Sequence, residues 1–245
     1  MKKSNYAELS LIYNSLMKKI NYEYWANYIY AISKIDSKKI ASALELGGGT
    51  GKLAEFLFHK YKTYVLSDLN SWMLSRNEKS KVSKVCCDMR AIPFKTKFDL
   101  IFSTFDSVNY LTSKTAFMKF LSESDKVLLE DGTLTFDVSL ERNSLRYEKL
   151  LNRKGELNNV SFIQKSVYDK KTKLHINEFE LKLPDGKIIK EKHKQKIWDI
   201  IDYFNMIDKS KFYVQHCFET FTFTDIKKTT ERAQFILKKK NYAKR

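Results

Sequence analysis

The sequence predicts an α/β fold: a doubly wound, mostly parallel sheet of seven strands, preceded by helices and carrying a small antiparallel β insertion. Three observations predict it. Short apolar runs alternate with helical segments from residue 40 to 139, a cluster of glycines follows the first run, and β-prone segments with turn residues replace this alternation after residue 140. Strand–helix alternation is typical of a parallel sheet with helices on both faces.

The alternating part supplies five strands and three helices. Before it, residues 6–35 carry apolar side chains at helical spacing and predict two helices. We expect strands at 40–46, 63–67, 84–88, 98–105 and 133–139, separated by helices near 51–60, 71–79 and 114–129. Right-handed crossovers place the carboxyl ends of these strands at one edge of the sheet, where ligands bind in such folds.

The second half predicts the insertion and the end of the main sheet. Residues 160–198 contain turn signals at 169–172 and at 184–186, which favours about three antiparallel strands. A helix near 199–207 and two closing strands in 211–223 and 231–239 follow. We therefore expect three parts: 1–140 as helices plus core, 141–207 as the insertion, and 208–245 as the closing strands.

Composition restricts the class of protein. The 245 residues are 43% hydrophobic, which is ample for a packed core, and no apolar stretch approaches the roughly 20 residues of a membrane span. The start lacks a signal-peptide pattern, and the three cysteines, two of them adjacent, fit a reduced cytoplasmic protein. The net charge of +16 comes mostly from lysine, so it indicates either a solvated surface or a nucleic-acid partner.

The glycine cluster "LELGGGTGKLAEFL" (44–57) is the most informative motif. A P-loop needs glycine where Leu46 stands and a hydroxyl side chain where Leu53 stands. The dinucleotide pattern that starts at Gly47 would put Lys52 at its third glycine. The pattern that fits is Glu-x-Gly-x-Gly-x-Gly over residues 45–51, which calls for a backbone that a ligand can approach closely.

This pattern resembles motif I of the class I S-adenosylmethionine-dependent methyltransferases. The resemblance continues through "VLSDLNSWML" (65–74), "CCDMRAIPF" (86–94) and "FDLIFSTFDSVNYL" (98–111), and "AELSLIYNSLM" (7–17) is similar to the opening of a small-molecule branch of the family. It spans roughly residues 7–140 and continues weakly in "TTERAQFILKK" (229–239).

The resemblance implies a Rossmann-like fold that binds S-adenosylmethionine and releases S-adenosylhomocysteine. Asp68 would accept the ribose hydroxyls, Asp88 and Met89 would contact the adenine, and Glu45 would face the methionine amino group. Plainer interpretations are a helix N-cap, a loop carboxylate and a strand-end ion pair, respectively. The full set expected to contact the cofactor is Glu45, Gly47, Gly48, Gly49, Gly51, Asp68, Leu69, Met73, Asp88, Met89, Ser103 and Phe105.

Methyl transfer needs alignment and exclusion of water more than a strong base. In the loop after the fourth strand, Asp106 and Tyr110 are candidates to orient or deprotonate an acceptor, and Tyr13 is a candidate to close the methyl pocket as part of an N-terminal helical lid. Alternatively, Asp106 caps the next turn and Tyr110 packs in the core. The neighbour of Tyr13, Asn14, replaces the family's usual aspartate.

Several acceptors are disfavoured by the sequence. The loop after the fourth strand has no proline, unlike that of adenine-N6 and cytosine-N4 methyltransferases. Cysteines 86 and 87 are expected as small core residues of the third strand rather than as nucleophiles. The four histidines lack metal-ligand spacing, so no metal is expected.

Lysines 190, 192, 194 and 196 recur at period two, so a strand would display all of them on one face. If residues 184–186 form a three-residue loop, Glu180 and Glu178 lie opposite Lys190 and Lys192 as cross-strand pairs. The alternative is an electropositive wall beside the site, suited to an acidic substrate or a nucleic-acid backbone. The resemblance implies that the insertion is a substrate roof or a dimer contact.

Together these features predict a cytoplasmic methyltransferase, monomeric or homodimeric, that methylates nitrogen or oxygen of a small molecule. Two other hypotheses remain open at this point. The first is an RNA-directed methyltransferase that uses the lysine-rich insertion, and the second is a protein that binds the cofactor without catalysis.

Overall fold

The computed structural model describes residues 6, 8–36, 39–76 and 81–240 and contains two sheets. Its helices are α1 (Ser10–Leu16), α2 (Tyr22–Ile32), α3 (Ala54–Leu57), α4 (Ser71–Ser75), α5 (Lys114–Val127), α6 (Glu141–Leu150) and α7 (Ile200–Asp208). Its strands are β1 (Ser42–Leu46), β2 (Thr63–Asp68), β3 (Ser83–Cys86), β4 (Phe98–Ser103), β5 (Leu128–Ser139), β6 (Arg153–Leu157), β7 (Val160–Asp169), β8 (Leu174–Lys182), β9 (Ile188–Lys196), β10 (Phe212–Glu219) and β11 (Arg232–Lys239).

The larger sheet has seven strands in the order β10-β11-β5-β4-β1-β2-β3. Neighbours from β5 to β3 pair in parallel, and β11 runs antiparallel to both β5 and β10. This confirms the predicted doubly wound, mostly parallel sheet. The carboxyl ends of β1, β2 and β4 therefore meet at one edge, together with the start of the reversed strand β11.

Both faces of this sheet are covered by helices. The strand β4 is buried along its whole length, with Ile101 in the cluster that includes α5 and α7, and with Leu100 and Phe102 in the cluster that includes α2 and α3. Such continuous burial explains why β4 is a run of apolar residues and does not alternate with polar ones.

The smaller sheet is antiparallel, in the order β6-β7-β8-β9, and it is formed by residues between β5 and β10. The three-residue loop that we expect at 184–186 is present: Leu183 and Lys187 pair across it, and Gly186 has φ +83°. Part of the sheet's inner face packs on α1, where Leu9 and Ile12 meet Phe162 and Leu181.

Three expectations need correction. The insertion has four strands, because the polar, mostly exposed segment 153–157 pairs with β7, and α6 precedes it. The expected helix at 51–60 is a short α-helix followed by a 3-10 turn. Cys86 is exposed and Cys87 half-buried, because β3 is an edge strand.

Some expectations lie partly outside the described residues. This holds for the end of the helix expected at 71–79 and for Ala7 of the N-terminal motif. Within the described chain, every helix is too short or too polar to cross a membrane.

Truncating the central aromatic ring of the core tests this packing. Phe136 on β5 is 0% exposed and contacts the rings of Phe117, Phe120 and Phe235. We expect Phe136→Ala to lower the free energy of unfolding by about 3–5 kcal/mol in denaturant titrations. The matched control is Phe56→Ala, at a ring that is 39% exposed. Equal losses in the two variants would contradict the packing described here.

Candidate active site

The glycine loop joins β1 to α3. It packs so closely against neighbouring residues that added side chains would clash with them. A Cβ on Gly48 would lie 2.2 Å from Leu66 Cδ1 and 2.6 Å from the Glu45 carboxyl carbon. Gly49 has φ +60°, a region that favours glycine, and its N–H points to Asp68. The protein's own packing therefore requires glycine at 48, and its backbone conformation favours glycine at 49.

Asp68 ends β2 beside this loop. Its Oδ2 accepts from the Gly49 N–H at 2.8 Å and its Oδ1 accepts from the Asn70 N–H at 2.8 Å. Burial raises the pKa of Asp68, and these backbone donors partly offset that effect. The N-cap of α4 is Asn70, whose side chain accepts from the Met73 N–H at 3.0 Å, so the alternative role of Asp68 as an N-cap is wrong.

Asp88 follows β3 and forms a forked pair with Arg90. Arg90 Nε lies 3.0 Å from both carboxylate oxygens, and its Nη2 lies 2.6 Å from Oδ2. This pairing lowers the pKa of Asp88, so the carboxylate stays charged near neutral pH. The plain-loop interpretation is therefore incomplete, because Asp88 is held in one orientation by a guanidinium.

Glu45 lies under the glycine loop and is 1% exposed. Its Oε2 accepts from the Tyr64 hydroxyl at 2.5 Å, and its Oε1 has no hydrogen-bond partner among the described residues. Burial raises the pKa of Glu45 to about 7, although the Tyr64 hydrogen bond opposes this effect. The environment therefore makes the protonated form accessible at neutral pH.

The loop after β4 is held by an ion-pair cluster around the buried carboxylate of Asp137. Phe105 and Asp106 have φ +58° and +52°, conformations that cost non-glycine residues about 1–3 kcal/mol each. The Asp106 N–H donates to Asp137 Oδ2 at 3.0 Å, and Arg232 pairs with Asp137 and lies 3.3 Å from Asp106. Gln195 donates to Asp106 Oδ2 at 3.1 Å. These contacts, and not a turn cap, position the Asp106 side chain.

One cavity of about 560 Å³ connects these elements. This volume is within the usual range for small-molecule sites. The expected site residues that line it are Gly47, Gly48, Gly49, Asp68, Leu69, Met73, Asp88, Met89, Phe105, Asp106, Tyr110 and Tyr13.

Three expected cofactor residues do not line this cavity. Glu45 points to Tyr64 beneath the loop, and Gly51 starts the turn into α3, where its carbonyl accepts from the Glu55 N–H. Ser103 is still inside the fully buried strand β4. The sequence spacing did not distinguish the residues that face the cavity from those that face away from it.

The smaller sheet covers the acceptor side of the cavity with polar groups that the motif analysis missed. Arg153 Nε donates to Gln164 Oε1 at 2.9 Å, and Gln164 Nε2 donates to Asn177 Oδ1 at 3.2 Å. His193 and Gln195 of β9 line the same cavity. The strand period could have revealed them, because they alternate with the lysines along β9.

The lysine row has the predicted register and faces away from the cavity. Lys190 pairs with Glu180 at 3.1 Å and Lys192 with Glu178 at 2.6 Å, as expected for a three-residue loop. Lys190, Lys192 and Lys194 are exposed and Lys196 is half-buried, all on the face of β9 opposite His193. The hypothesis of an electropositive wall beside the site is therefore wrong for this row.

The reversed strand β11, the glycine loop and an acidic side chain at the end of β2 define a class of α/β protein with its ligand cavity at the carboxyl edge of a doubly wound sheet. Within that class, residues 43–132 match the family model described as a methyltransferase domain. Residues 43–132 therefore carry a methyltransferase domain.

Individual proteins are similar over nearly the full length. A "Putative methyltransferase" from Geobacillus sp. strain WCH70 is 26% identical over 249 residues, which cover 96% of this chain and 99% of that protein. An S-adenosylmethionine-dependent methyltransferase from Clostridium acetobutylicum has a TM-score of 0.79 at 22% identity, over 95% of this chain and 98% of that one. The sugar N-methyltransferase KedS8 from a Streptoalloteichus species has a TM-score of 0.72 at 14% identity, over 92% and 90%.

The buried Glu45 predicts a pH-dependent stability. Its pKa in the folded protein is about 7 against 4.5 in an unfolded chain, so between these values the folded state binds more protons. Stability then falls as pH rises through this window, by about 3 kcal/mol, and is flat above it. Denaturant titrations at pH 5 and 7.5 measure the free energy of unfolding of Glu45→Gln and of the parent. The difference between variant and parent should be about 2–3 kcal/mol more in favour of Glu45→Gln at pH 7.5 than at pH 5.

The matched control for this prediction is Glu23→Gln, at an exposed position on α2. Its free energy of unfolding should track the parent at both pH values. An unchanged difference between Glu45→Gln and the parent across the window would show that Glu45 ionises normally in the folded protein.

Proposed function

We propose that this protein transfers the methyl group of S-adenosylmethionine to a nitrogen or oxygen atom of a small-molecule acceptor. The observation that carries the proposal is the single continuous cavity, which runs from the glycine loop and Asp68 to Asp106, Tyr110 and Tyr13. The similarity to a sugar N-methyltransferase supports a small acceptor.

The residues present fit the cofactor. The three glycines at 47–49 leave the backbone open beside Asp68. The buried Asp68 carboxylate is already oriented by two backbone N–H donors. Such a carboxylate retains lone pairs for the two ribose hydroxyls. Met89 and Leu69 provide apolar surface for the adenine, and the fixed Asp88 carboxylate can accept from its amino group.

When bound, the cofactor supplies an electrophilic methyl group on a positively charged sulfur. The protein's contribution is to orient the acceptor and exclude water. Tyr13 and Tyr110 close the cavity wall next to Asp106, and Asp106 is held by Arg232 and Gln195. Glu45 supports the loop from below in this scheme.

We also propose that residues 141–207 serve as the acceptor roof, between a core of 1–140 and closing strands in 208–245. The inner face of the small sheet presents Arg153, Gln164 and Asn177 to the cavity. This polar strip suits an acceptor with several hydrogen-bonding groups.

Replacing Asp68 tests the cofactor site. Removal of hydrogen bonds to a charged group costs about 1.5–3 kcal/mol each, so Asp68→Ala should weaken S-adenosylhomocysteine binding by at least about tenfold. Isothermal titration calorimetry measures this, and Glu23→Gln is the control with unchanged affinity. If the folded parent gives no binding heat with either form of the cofactor, the proposed function is wrong.

Turnover distinguishes the enzyme from an inert binding protein and from an RNA-directed enzyme. We expect S-adenosylhomocysteine to form with members of a panel of small amines and alcohols. Binding without turnover across that panel would favour the inert hypothesis. RNA binding that falls steeply with salt, together with RNA-dependent turnover, would favour the RNA hypothesis instead.

A further inference from the structure

Five ring side chains from separate segments meet on the acceptor side of the cavity. They are Tyr6 of the N-terminal segment, Tyr13 of α1, Tyr110 after β4, Phe179 of β8 and His193 of β9, and all of them line the cavity. We call this set the aromatic box. The proposed function uses two of its members, and it gives no reason for the other three.

Tyr6 is the centre of the aromatic box. Its ring centroid lies 4.2 Å from that of His193, 5.8 Å from that of Tyr13 and 6.1 Å from that of Tyr110. The Tyr6 and Tyr110 hydroxyls are hydrogen-bonded to each other. The Phe179 ring lies 5.7 Å from His193 and extends the wall.

A buried carboxylate holds Tyr6 in this position. Glu191 of β9 accepts from the Tyr6 N–H at 2.6 Å, from the Glu8 N–H at 3.0 Å and from the Leu9 N–H at 2.9 Å. His193 is 2% exposed and its Nε2 lies 3.3 Å from the Glu191 carboxylate. The box is therefore built by contacts between the small sheet and the N-terminal segment.

Two carboxylates, Asp68 and Asp106, line the cavity together with the box, and Arg232 pairs with Asp106. Burial raises the pKa values of Tyr13 and Tyr110, and the neighbouring carboxylates Asp106 and Asp68 raise them further. Tyrosine rings present electron-rich faces to a cation, and a nearby carboxylate adds to that attraction. A cavity wall of such aromatic rings favours a positively charged group over a neutral one of equal size.

We propose that the aromatic box binds the acceptor as an amine, so that nitrogen, and not oxygen, receives the methyl group, and that the box also accepts the methylated ammonium product. This inference rests on the proposed function and narrows its acceptor class. It assigns Tyr6 and Phe179 to acceptor recognition and makes Glu191 a positioning residue for Tyr6.

The chemistry balances with the groups present. An incoming ammonium first loses a proton to the Asp106 carboxylate, which frees the nitrogen lone pair. That lone pair forms the new N–C bond as the S–C bond breaks, and the bonding electrons stay on sulfur, which becomes a neutral thioether. The positive charge moves to the nitrogen, where the tyrosine rings stabilise it.

Choline and 3,3-dimethylbutan-1-ol are a matched pair of probes, with the same shape and a cationic or a neutral head. Ligand-observed NMR titrations on protein saturated with S-adenosylhomocysteine should show choline binding at least about fivefold more tightly. Equal affinities, or no choline binding to the saturated protein, would overturn the proposal. Choline binding that disappears on saturation would assign the box to the cofactor's sulfonium and would overturn it too.

Variants of Tyr6 separate ring recognition from structural support. Tyr6→Phe keeps the ring and should retain the preference for choline, whereas Tyr6→Leu should lose most of it. Phe179→Leu is a second variant in case Tyr6→Leu does not fold. The matched control is Tyr24→Leu, at a tyrosine on α2 that is exposed and lies outside the cavity wall.

The choline titration and the calorimetry with S-adenosylhomocysteine test different statements. S-adenosylhomocysteine affinity, measured by calorimetry on the same samples, should be the same in Tyr6→Phe and the parent. Normal cofactor binding without a preference for choline rejects the amine inference alone. Loss of cofactor binding in the parent rejects the proposed function itself.

Discussion

The ion-pair cluster of Arg232 with Asp137 and Asp106 fixes the loop on which the rest of the site depends. It links β11 and β5 to the end of β4, and it holds two successive residues in the left-handed region. Removing one partner of a buried pair leaves an uncompensated charge, so such a cluster tolerates little change. The reversed strand β11 is therefore part of the active site as well as of the sheet.

The same loop sets the position of the glycine loop. Ser107 donates to the Gly47 carbonyl at 3.1 Å, and a Cβ on Gly47 would lie 2.9 Å from Ser107 Cβ. The loop after β4 and the glycine loop are thus in direct contact. A shift of Ser107 would therefore disturb the Gly47 end of the glycine loop.

The sequence predicted the features that are local in the chain. Strand–helix alternation predicted the main sheet, and the glycine spacing predicted the loop that lies beside Asp68. The length of the loop at 184–186 predicted the register of the lysine row. It missed β6, because that segment is polar and lacks the apolar alternation that predicts a strand. The strand period indicates that His193 faces inward, but the contact of Tyr6 with His193 was missed, because it depends on the N-terminal segment packing against the small sheet.

The alternation along β9 allows two properties of the protein to be engineered separately. Outward lysines set the surface charge of this strand, whereas the inward residues Glu191, His193 and Gln195 face the N-terminal segment and the cavity. Recharging the outward positions would shift the isoelectric point without changing the residues that line the cavity. A one-residue insertion in this strand would reverse the direction of the side chains that follow it. Lysine side chains would then point into the cavity.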